Sequence, residues 1–565
     1  MFRGKLKNFF TISAFIVFTS LFIFTFQATA ARIQVIIEPI DLPDIDRTWE
    51  DVSLLYESIF HNSSEVQEEI DRFHNLVPEL IDMEVIGQTY LGKNITSLKI
   101  TNELRTQQKA KTLVVAHHHG REQITVETAL RFIIYLLNSY GENQTITDFI
   151  DNQEIYIIPS LNLDALDVVV EQENYWLRKT VKPWDDDNDG AIDEDQREDV
   201  NLDGKVSSFD VYNNTNPSNP VYLYTYYEGI DNDADGKINE DMIGYTDLNR
   251  NYDSFWRDGG GWEDDTQSDI YPGPTPFSES ETRAFRDFAL NHKFGMAYSL
   301  HSGINTTFFV DDVDGWAEYD LCLRMLEDYD KILPPSFNDI YDYPETTNSP
   351  VAESAVLAGG WDPWMYFERN TLAPITFEIY RNASSVAPGS ETVYSENSTH
   401  LILEWTEIYG FFTPVEEAID ALWLDVKPGF DYLLENTPRL VIEPVITSGR
   451  SNEGGRVEFD FNCSNLSPRI RTIETVNLYS SGDTLLYSGE EVLADESKNI
   501  LFELILPYDL EETDYEIKVG NEFTGYYHFV LSKTEETSGL TLGLSIVGVI
   551  VASYRLKIVS NKRKR

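Results

Sequence analysis

Cysteine is nearly missing from this chain. Only Cys322 and Cys463 occur in 565 residues, far apart in sequence. This excludes a disulfide framework and a thiolate-built metal site. Basic residues are also scarce: 43 Lys and Arg stand against 96 Asp and Glu, a formal charge of -53. A surface of that sign repels phosphates and argues against a nucleic-acid partner. It suits cation binding, high salt or solubility. Histidines number nine, so any imidazole site draws on a short list. Apolar residues are not lacking. At 42 % hydrophobic and 13 % aromatic, the chain can bury real cores, which excludes a mainly disordered polypeptide. Length alone allows two to four domains.

The ends carry targeting patterns. Residues 1–30 place Arg3, Lys5 and Lys7 before an apolar run that ends at Ala28-Thr29-Ala30. A basic n-region, an apolar h-region and an A-x-A site predict a secretory signal peptide; an uncleaved N-terminal anchor is the alternative. Residues 538–554 hold the uncharged stretch GLTLGLSIVGVIVASY, and 555–565 form a basic tail. The stretch is near the lower length limit for a transmembrane helix, and the tail fits the positive-inside rule. A buried C-terminal helix is the alternative. The resulting expectation is a protein at the extracellular face of the cell membrane, tethered by its C-terminus. Nine N-x-[ST] sequons agree weakly with export.

Between the ends, residues 31–47 read as a lead-in segment. Helical patterning runs from Glu50 to Leu80. MEVIGQTYLGKNITSLKIT reads as a hairpin, and KTLVVAHHH and EIYIIPSLN as short buried strands around the helix Ile124–Asn138. Further on, FGMAYSLHS and APITFEIY repeat the buried-strand pattern, with helices at Phe277–His292, Gly315–Lys331 and Trp361–Asn370. Leu401–Leu434 reads as closing helices. Strands alternating with helices predict an α/β fold, a sheet flanked by helices, over 48–436. Residues 437–533 are short β-rich runs at regular spacing, the pattern of a β-sandwich domain.

The chemistry concentrates at VVAHHHGREQITVE. His119 and Glu122 are three residues apart where a strand hands over to a helix, a good placement for one metal ion. His301, at the end of another buried strand, is the candidate third ligand. Two histidines and one glutamate with an open position form the usual catalytic zinc set. Glu378 ends the buried strand TFEIY, where a carboxylate is costly unless paired or functional, and is the candidate general base. Arg121, Arg178 and Arg250 are candidates for gripping an acidic substrate end, because the guanidinium fork binds carboxylates bidentately.

In order along the chain, HGRE (119–122), IIPSLNLDALD, WLRKT (176–180), DLNRNY (247–252), YPGPTPFSESET, SLHS and ITFEIY resemble the zinc carboxypeptidases of the funnelin (M14, carboxypeptidase A-like) family. The resemblance covers roughly residues 48–432. It implies a mixed eight-stranded-type sheet and one catalytic Zn2+ on His119, Glu122 and His301. Glu378 would be the general base and Arg178 the group that polarises the scissile carbonyl. Asn249 and Arg250, helped by Arg121, would hold the substrate's C-terminal carboxylate. Asp362 falls near the side-chain specificity determinant, where it would favour a C-terminal Lys or Arg; a loop or helix-capping role is the alternative. The family's mobile tyrosine has no clear counterpart: the aligned positions are Ser354 and Ala355, and Tyr341 and Tyr343 are out of register. The implied activity is removal of the C-terminal residue from an extracellular peptide or protein. Two alternatives stay open: an amidase or peptidoglycan-peptide hydrolase on the same fold, and a non-catalytic cell-surface binding protein.

Within the catalytic region, residues 183–245 form an Asp-rich insertion with three D-x-[DN]-x-D-G segments. The middle one fits a twelve-residue calcium loop, with Asp199, Asn201, Asp203, Lys205 and Asp210 as ligands around Gly204. The outer two fit its first half through Asp185, Asp187 and Asp189, and through Asp231, Asp233 and Asp235. Their closing acids, Glu194 or Asp195 and Glu240 or Asp241, fall early. Structural Ca2+ is the expectation.

Overall fold

A computed structural model describes residues 34–39, 42–56, 60–203, 205–309, 319–337, 357–382, 392–405 and 408–444, together with discontinuous segments between 448 and 534. The predicted signal peptide, transmembrane helix and basic tail lie outside the described residues. So do the positions aligned with the mobile tyrosine. Among the described residues no helix is long and apolar enough to cross a membrane.

In chain order the strands are β1 (Gln34–Pro39), β2 (Ile81–Gln88), β3 (Asn94–Ile100), β4 (Ala110–Ala116), β5 (Gln153–Ile158), β6 (Ser208–Asn213), β7 (Val221–Tyr227), β8 (Met296–His301), β9 (Asn305–Phe309), β10 (Ala373–Ile379), β11 (Thr392–Glu396) and β12 (His400–Trp405). The central sheet has the order β2-β3-β5-β4-β8-β10-β9. That is seven strands among the described residues, where an eight-stranded type was expected. Its centre, β5-β4-β8-β10, is parallel, and both flanks are antiparallel. Parallel strands need helical crossovers and are covered on both faces. Hence β4 and β8 are almost continuously buried and read as apolar runs rather than alternations. Helices Ile124–Ser139 and Ile419–Asn436 pack on each other and against the central strands, while Ser280–Leu290 lies against β2.

Several expectations change in detail. The first helix spans Ser63–Leu76 rather than starting near Glu50. Asn62 accepts from the amides of Ser64 and Glu65, and Glu65 reaches back to the Asn62 amide, a capping box that fixes the start. The segment 401–405, expected as helix, is β12. It joins β11, β6 and β7 in a four-stranded antiparallel sheet of order β11-β12-β6-β7. The insertion is therefore partly strand, and Val221–Tyr227 (VYLYTYY) carried the β-branched and aromatic signal for it. The lead-in is not independent. β1 lies between Ser448–Arg450 and Gly525–Thr534 in a six-stranded sheet of the C-terminal region. An apolar strand such as QVIIEP needs ladder partners, and that sheet supplies them. A separate three-stranded sheet pairs Arg456–Asn465 with Leu440–Pro444 and Ser497–Ile505.

Candidate active site

The site forms where the parallel strands end. β4 stops at Ala116, and His117 turns the chain in the left-handed region at φ 63°. That conformation is costly for a non-glycine residue. It is held by the His117 ring, whose Nδ1 lies 3.0 Å from Ser160 Oγ and Nε2 2.9 Å from the Gly120 carbonyl. The turn delivers His119 and Glu122 just before helix Ile124–Ser139. Gly120 permits close approach. A Cβ there would lie 2.9 Å from both the Ala165 Cβ and the Leu177 carbonyl oxygen, and its amide donates to the Arg178 carbonyl at 3.1 Å. The HGRE turn and the WLRKT segment are thus docked backbone to backbone.

His119, Glu122 and His301 converge, all three buried, with one ligand atom from each within 4.8 Å of the others. His119 Nδ1 lies 2.7 Å from Glu122 Oε1, His301 Nδ1 3.0 Å from Glu122 Oε2, and the two Nδ1 atoms 3.2 Å apart. The donor set fits zinc: tetrahedral sites with Zn–N near 2.05 Å have ligand–ligand edges of about 3.3 Å. The outward nitrogens are engaged as well. His119 Nε2 meets Asp247 Oδ1 at 3.2 Å and His301 Nε2 meets Ser299 Oγ at 3.0 Å. Such contacts fix the tautomer and ring orientation of a ligating imidazole. His118 stacks on His301, its Nε2 3.0 Å from the Tyr252 hydroxyl. His117 and His118 support the triad rather than join it.

Asp247 is the residue that sequence reasoning passed over, although it opens the DLNRNY motif. It is fully buried. Besides His119, its carboxylate accepts from Arg178 Nε at 3.0 Å and Nη2 at 2.8 Å, and from the Asn249 amide at 2.8 Å. Burial alone would raise its pKa, but the charges of Arg178, His119 and Arg250 hold it well below the carboxylate range. Burial likewise works against Glu122, and the two histidines pull it well below its usual value. Arg178 stays charged: Asp247 and Glu122 outweigh its desolvation.

Glu378 stands opposite His301 in the parallel β8–β10 pair. Partners in parallel register project to the same side, which puts this carboxyl beside the triad. Burial, then the Glu122 charge, raises its pKa well above the normal carboxylate value, with Arg178 opposing. Its Oε2 is buried and has no hydrogen-bond partner among the described residues.

The remaining candidates fall into two places. Asn249 and Arg250 sit in a 3-10 turn, Leu248–Arg250. The Trp361 amide donates to Asn249 Oδ1 at 2.8 Å, and Arg250 Nη1 donates to the Asn249 carbonyl at 2.8 Å. Asp362 is buried at the start of the following turn, where its charge acts on Arg250. Arg121 is directed elsewhere: it pairs with Asp269 at 3.0 Å, donates to the Trp176 carbonyl at 3.2 Å and lies over the Phe412 ring. Arg178 Nε also donates to the Asp269 carbonyl, so the Asp269 segment braces both arginines.

In the insertion, four groups of three carboxylates converge, drawn from the first and third Asp-rich segments with Glu240 and Asp241. The middle segment differs from expectation. Asp210 lies on β6 opposite Thr225 and accepts from its hydroxyl. Glu228 instead receives the amides of Val200 at 2.9 Å, Asn201 at 3.0 Å and Ser207 at 3.0 Å. The strand that begins at Ser208 draws Asp210 into its own ladder. Gly204 lies outside the described residues, and Asp199, Asp203 and Asp210 join none of the convergent groups found among them.

Comparison with known proteins gives the family. The zinc carboxypeptidase family model matches residues 66–427, well over half of the chain. A zinc carboxypeptidase of Saccharothrix mutabilis subsp. capreolus is 31 % identical over 127 residues, covering 22 % of this chain and 29 % of its own length. The chain thus spans less than a third of that relative. Carboxypeptidase B of Astacus astacus is 24 % identical over 328 residues, 57 % of this chain and 86 % of its own. Among solved structures, bovine thrombin-activatable fibrinolysis inhibitor in complex with tick carboxypeptidase inhibitor aligns at 18 % identity and a TM-score of 0.44, covering 67 % of this chain and 97 % of its own. The chain belongs to the zinc carboxypeptidase family.

Proposed function

We propose that this protein is a metallocarboxypeptidase that removes the C-terminal residue of extracellular peptides or proteins. The observation that carries the reading is the register of Glu378 against His301, which puts a high-pKa carboxyl beside the His119–Glu122–His301 set. Zinc held by these three side chains would supply a Lewis acid and lower the pKa of water. Glu378 takes a proton from the attacking water and returns it to the leaving amine; a carboxyl with a raised pKa suits both transfers. Arg178, anchored on Asp247, presents its guanidinium where negative charge develops on the scissile carbonyl oxygen. Asn249 and Arg250 hold the substrate's terminal carboxylate, which fixes the cut at the last bond. Arg121, paired with Asp269 beside Arg178, braces the carbonyl-polarising arginine rather than the carboxylate end, and Asp362 biases the side-chain pocket toward basic residues.

The same proposal places the protein on the extracellular face of the membrane. Residues 1–30 direct export and 538–554 anchor it. The sheets of 437–533 form a sandwich that spaces the catalytic domain from the bilayer, and Ca2+ orders the Asp-rich insertion. The test is digestion of a peptide library with purified zinc-loaded protein. Successive loss of C-terminal residues is expected, and absence of cleavage rejects the reading. Glu378→Gln should abolish turnover with zinc content unchanged; full residual activity would remove Glu378 from the role of base.

A further inference from the structure

The first and third Asp-rich segments, 185–195 and 231–241, fold as one unit. Asp195 and Asp241, at equivalent positions, form an antiparallel bridge. Across it, each closing acid serves the opposite loop. Asp241 Oδ1 accepts from the Asp186 amide at 3.1 Å, and Asp195 Oδ1 from the Asn232 amide at 3.2 Å. Each first aspartate ties its own turn: Asp185 Oδ2 accepts from the Gly190 amide and Asp231 Oδ2 from the Gly236 amide, both at 3.1 Å. In both, the remaining Oδ1 is buried and meets no donor.

Carboxylates from the two loops intermix. Asp187 converges with Asp185 and Asp241 in one group and with Asp235 and Glu240 in another. An independent observation is the state of Glu240. Only 8 % of it is exposed, its Oε2 meets no donor, and its Oε1 faces Lys237 Nζ at 4.0 Å, beyond hydrogen-bond reach. Asp195, 1 % exposed, likewise leaves Oδ2 without a donor. Carboxylates so far from water are unfavourable unless a cation balances them.

We infer that the two loops hold a pair of Ca2+ ions in one shared centre, each ion taking carboxylates from both loops. The donors are all hard oxygens, without imidazole or thiolate, and more numerous than Mg2+ usually draws from protein. The sequence pattern suggested three loops, each closed by its own acid. The geometry exchanges Asp195 and Asp241 between the outer two, keeps Glu240 beside Asp235 of its own loop and leaves the middle one outside. The centre also touches the site region. Two residues after Asp195, the Arg197 guanidinium lies 3.6 Å from the Tyr227 ring centroid and 4.8 Å from that of Trp176, which is two residues before Arg178. Calcium would thereby hold the wall next to Arg178. This last consequence rests on the peptidase reading; the ion binding does not.

The test is calorimetric titration of Ca2+ into the purified full-length protein after chelation and zinc restoration, with melting temperature followed in parallel and no substrate present. Uptake of at least two ions and a rise in melting temperature are expected. Glu240→Gln, Asp241→Asn and Asp187→Asn should each weaken binding of both ions at least tenfold. Circular dichroism of each variant without calcium confirms that it is folded. No uptake by the unmodified protein would overturn the site. A variant that loses one ion while the other binds with unchanged affinity would overturn the sharing.

Discussion

Asp247→Asn is the sharpest probe of how this site is held. Three donors converge on the Asp247 carboxylate: the His119 ring through Nε2, the Arg178 guanidinium and the Asn249 amide. A carboxylate accepts from all three. An asparagine of the same shape has one acceptor oxygen, and its NH2 must face a donor. If the oxygen keeps Arg178, His119 loses the partner that fixes its tautomer. If it turns to His119, Arg178 loses its counter-charge while only 13 % of its side chain is exposed. Loss of an outer contact to a ligating histidine typically weakens metal binding by about 10- to 100-fold, or roughly 1.4–2.8 kcal/mol. Leaving Arg178 buried and unpaired adds a stability cost of a few kcal/mol, about 3–5 at the upper end. The assay is zinc competition against a chromophoric chelator, alongside denaturant unfolding. Both affinity and stability should fall. A variant that binds zinc like the unmodified protein and changes only KM would refute the proposed hold of Asp247 on His119.

Two further predictions concern the scaffold. Gly359 has φ +65°, and a Cβ there would lie 1.9 Å from the Arg250 carbonyl oxygen; Gly359→Ala should destabilise the fold by about 1–3 kcal/mol and, by moving Asn249 and Arg250, raise KM more than it lowers kcat, as steady-state kinetics would show. His61 is buried against Glu127 at 2.8 Å and near Glu69. Its burial opposes protonation, but the two glutamates prevail and raise its pKa to about 9. A raised folded pKa gives stability that is complete below the ordinary histidine value of about 6.5 and lost as pH rises toward about 9, at most about 3 kcal/mol. Urea unfolding of His61→Gln should show a flatter profile across that window; parallel profiles would reject the assignment.

What the sequence revealed follows the physics of each part. The triad was legible because metal ligands are rare residue types at strand ends, and only nine histidines were available. Glu378 was legible because a carboxylate closing an apolar strand is conspicuous. Asp247 was not, because its role depends on contacts with Arg178 and His119, 69 and 128 residues away. Asp210 and the closing acids misled for a related reason. Spacing describes one loop at a time, whereas β6 and the Asp195–Asp241 bridge are partnerships with distant segments. The strand β1 shows the same limit: its β-branched run Val35-Ile36-Ile37 announces a strand but not which sheet takes it.

That strand has a mechanical consequence. In the β1 ladder Gln34 faces Thr534 and Pro39 faces Phe529. Chain leaving β1 backward and chain leaving Gly525–Thr534 forward therefore depart from one end of the same sheet, side by side. A load applied between those two exits does not shear the ladder, where all rungs would resist together. It opens the pair from Gln34–Thr534 inward, one rung at a time. Fusions to the two exits would in turn sit side by side, close enough for a paired reporter to register the opening of that pair.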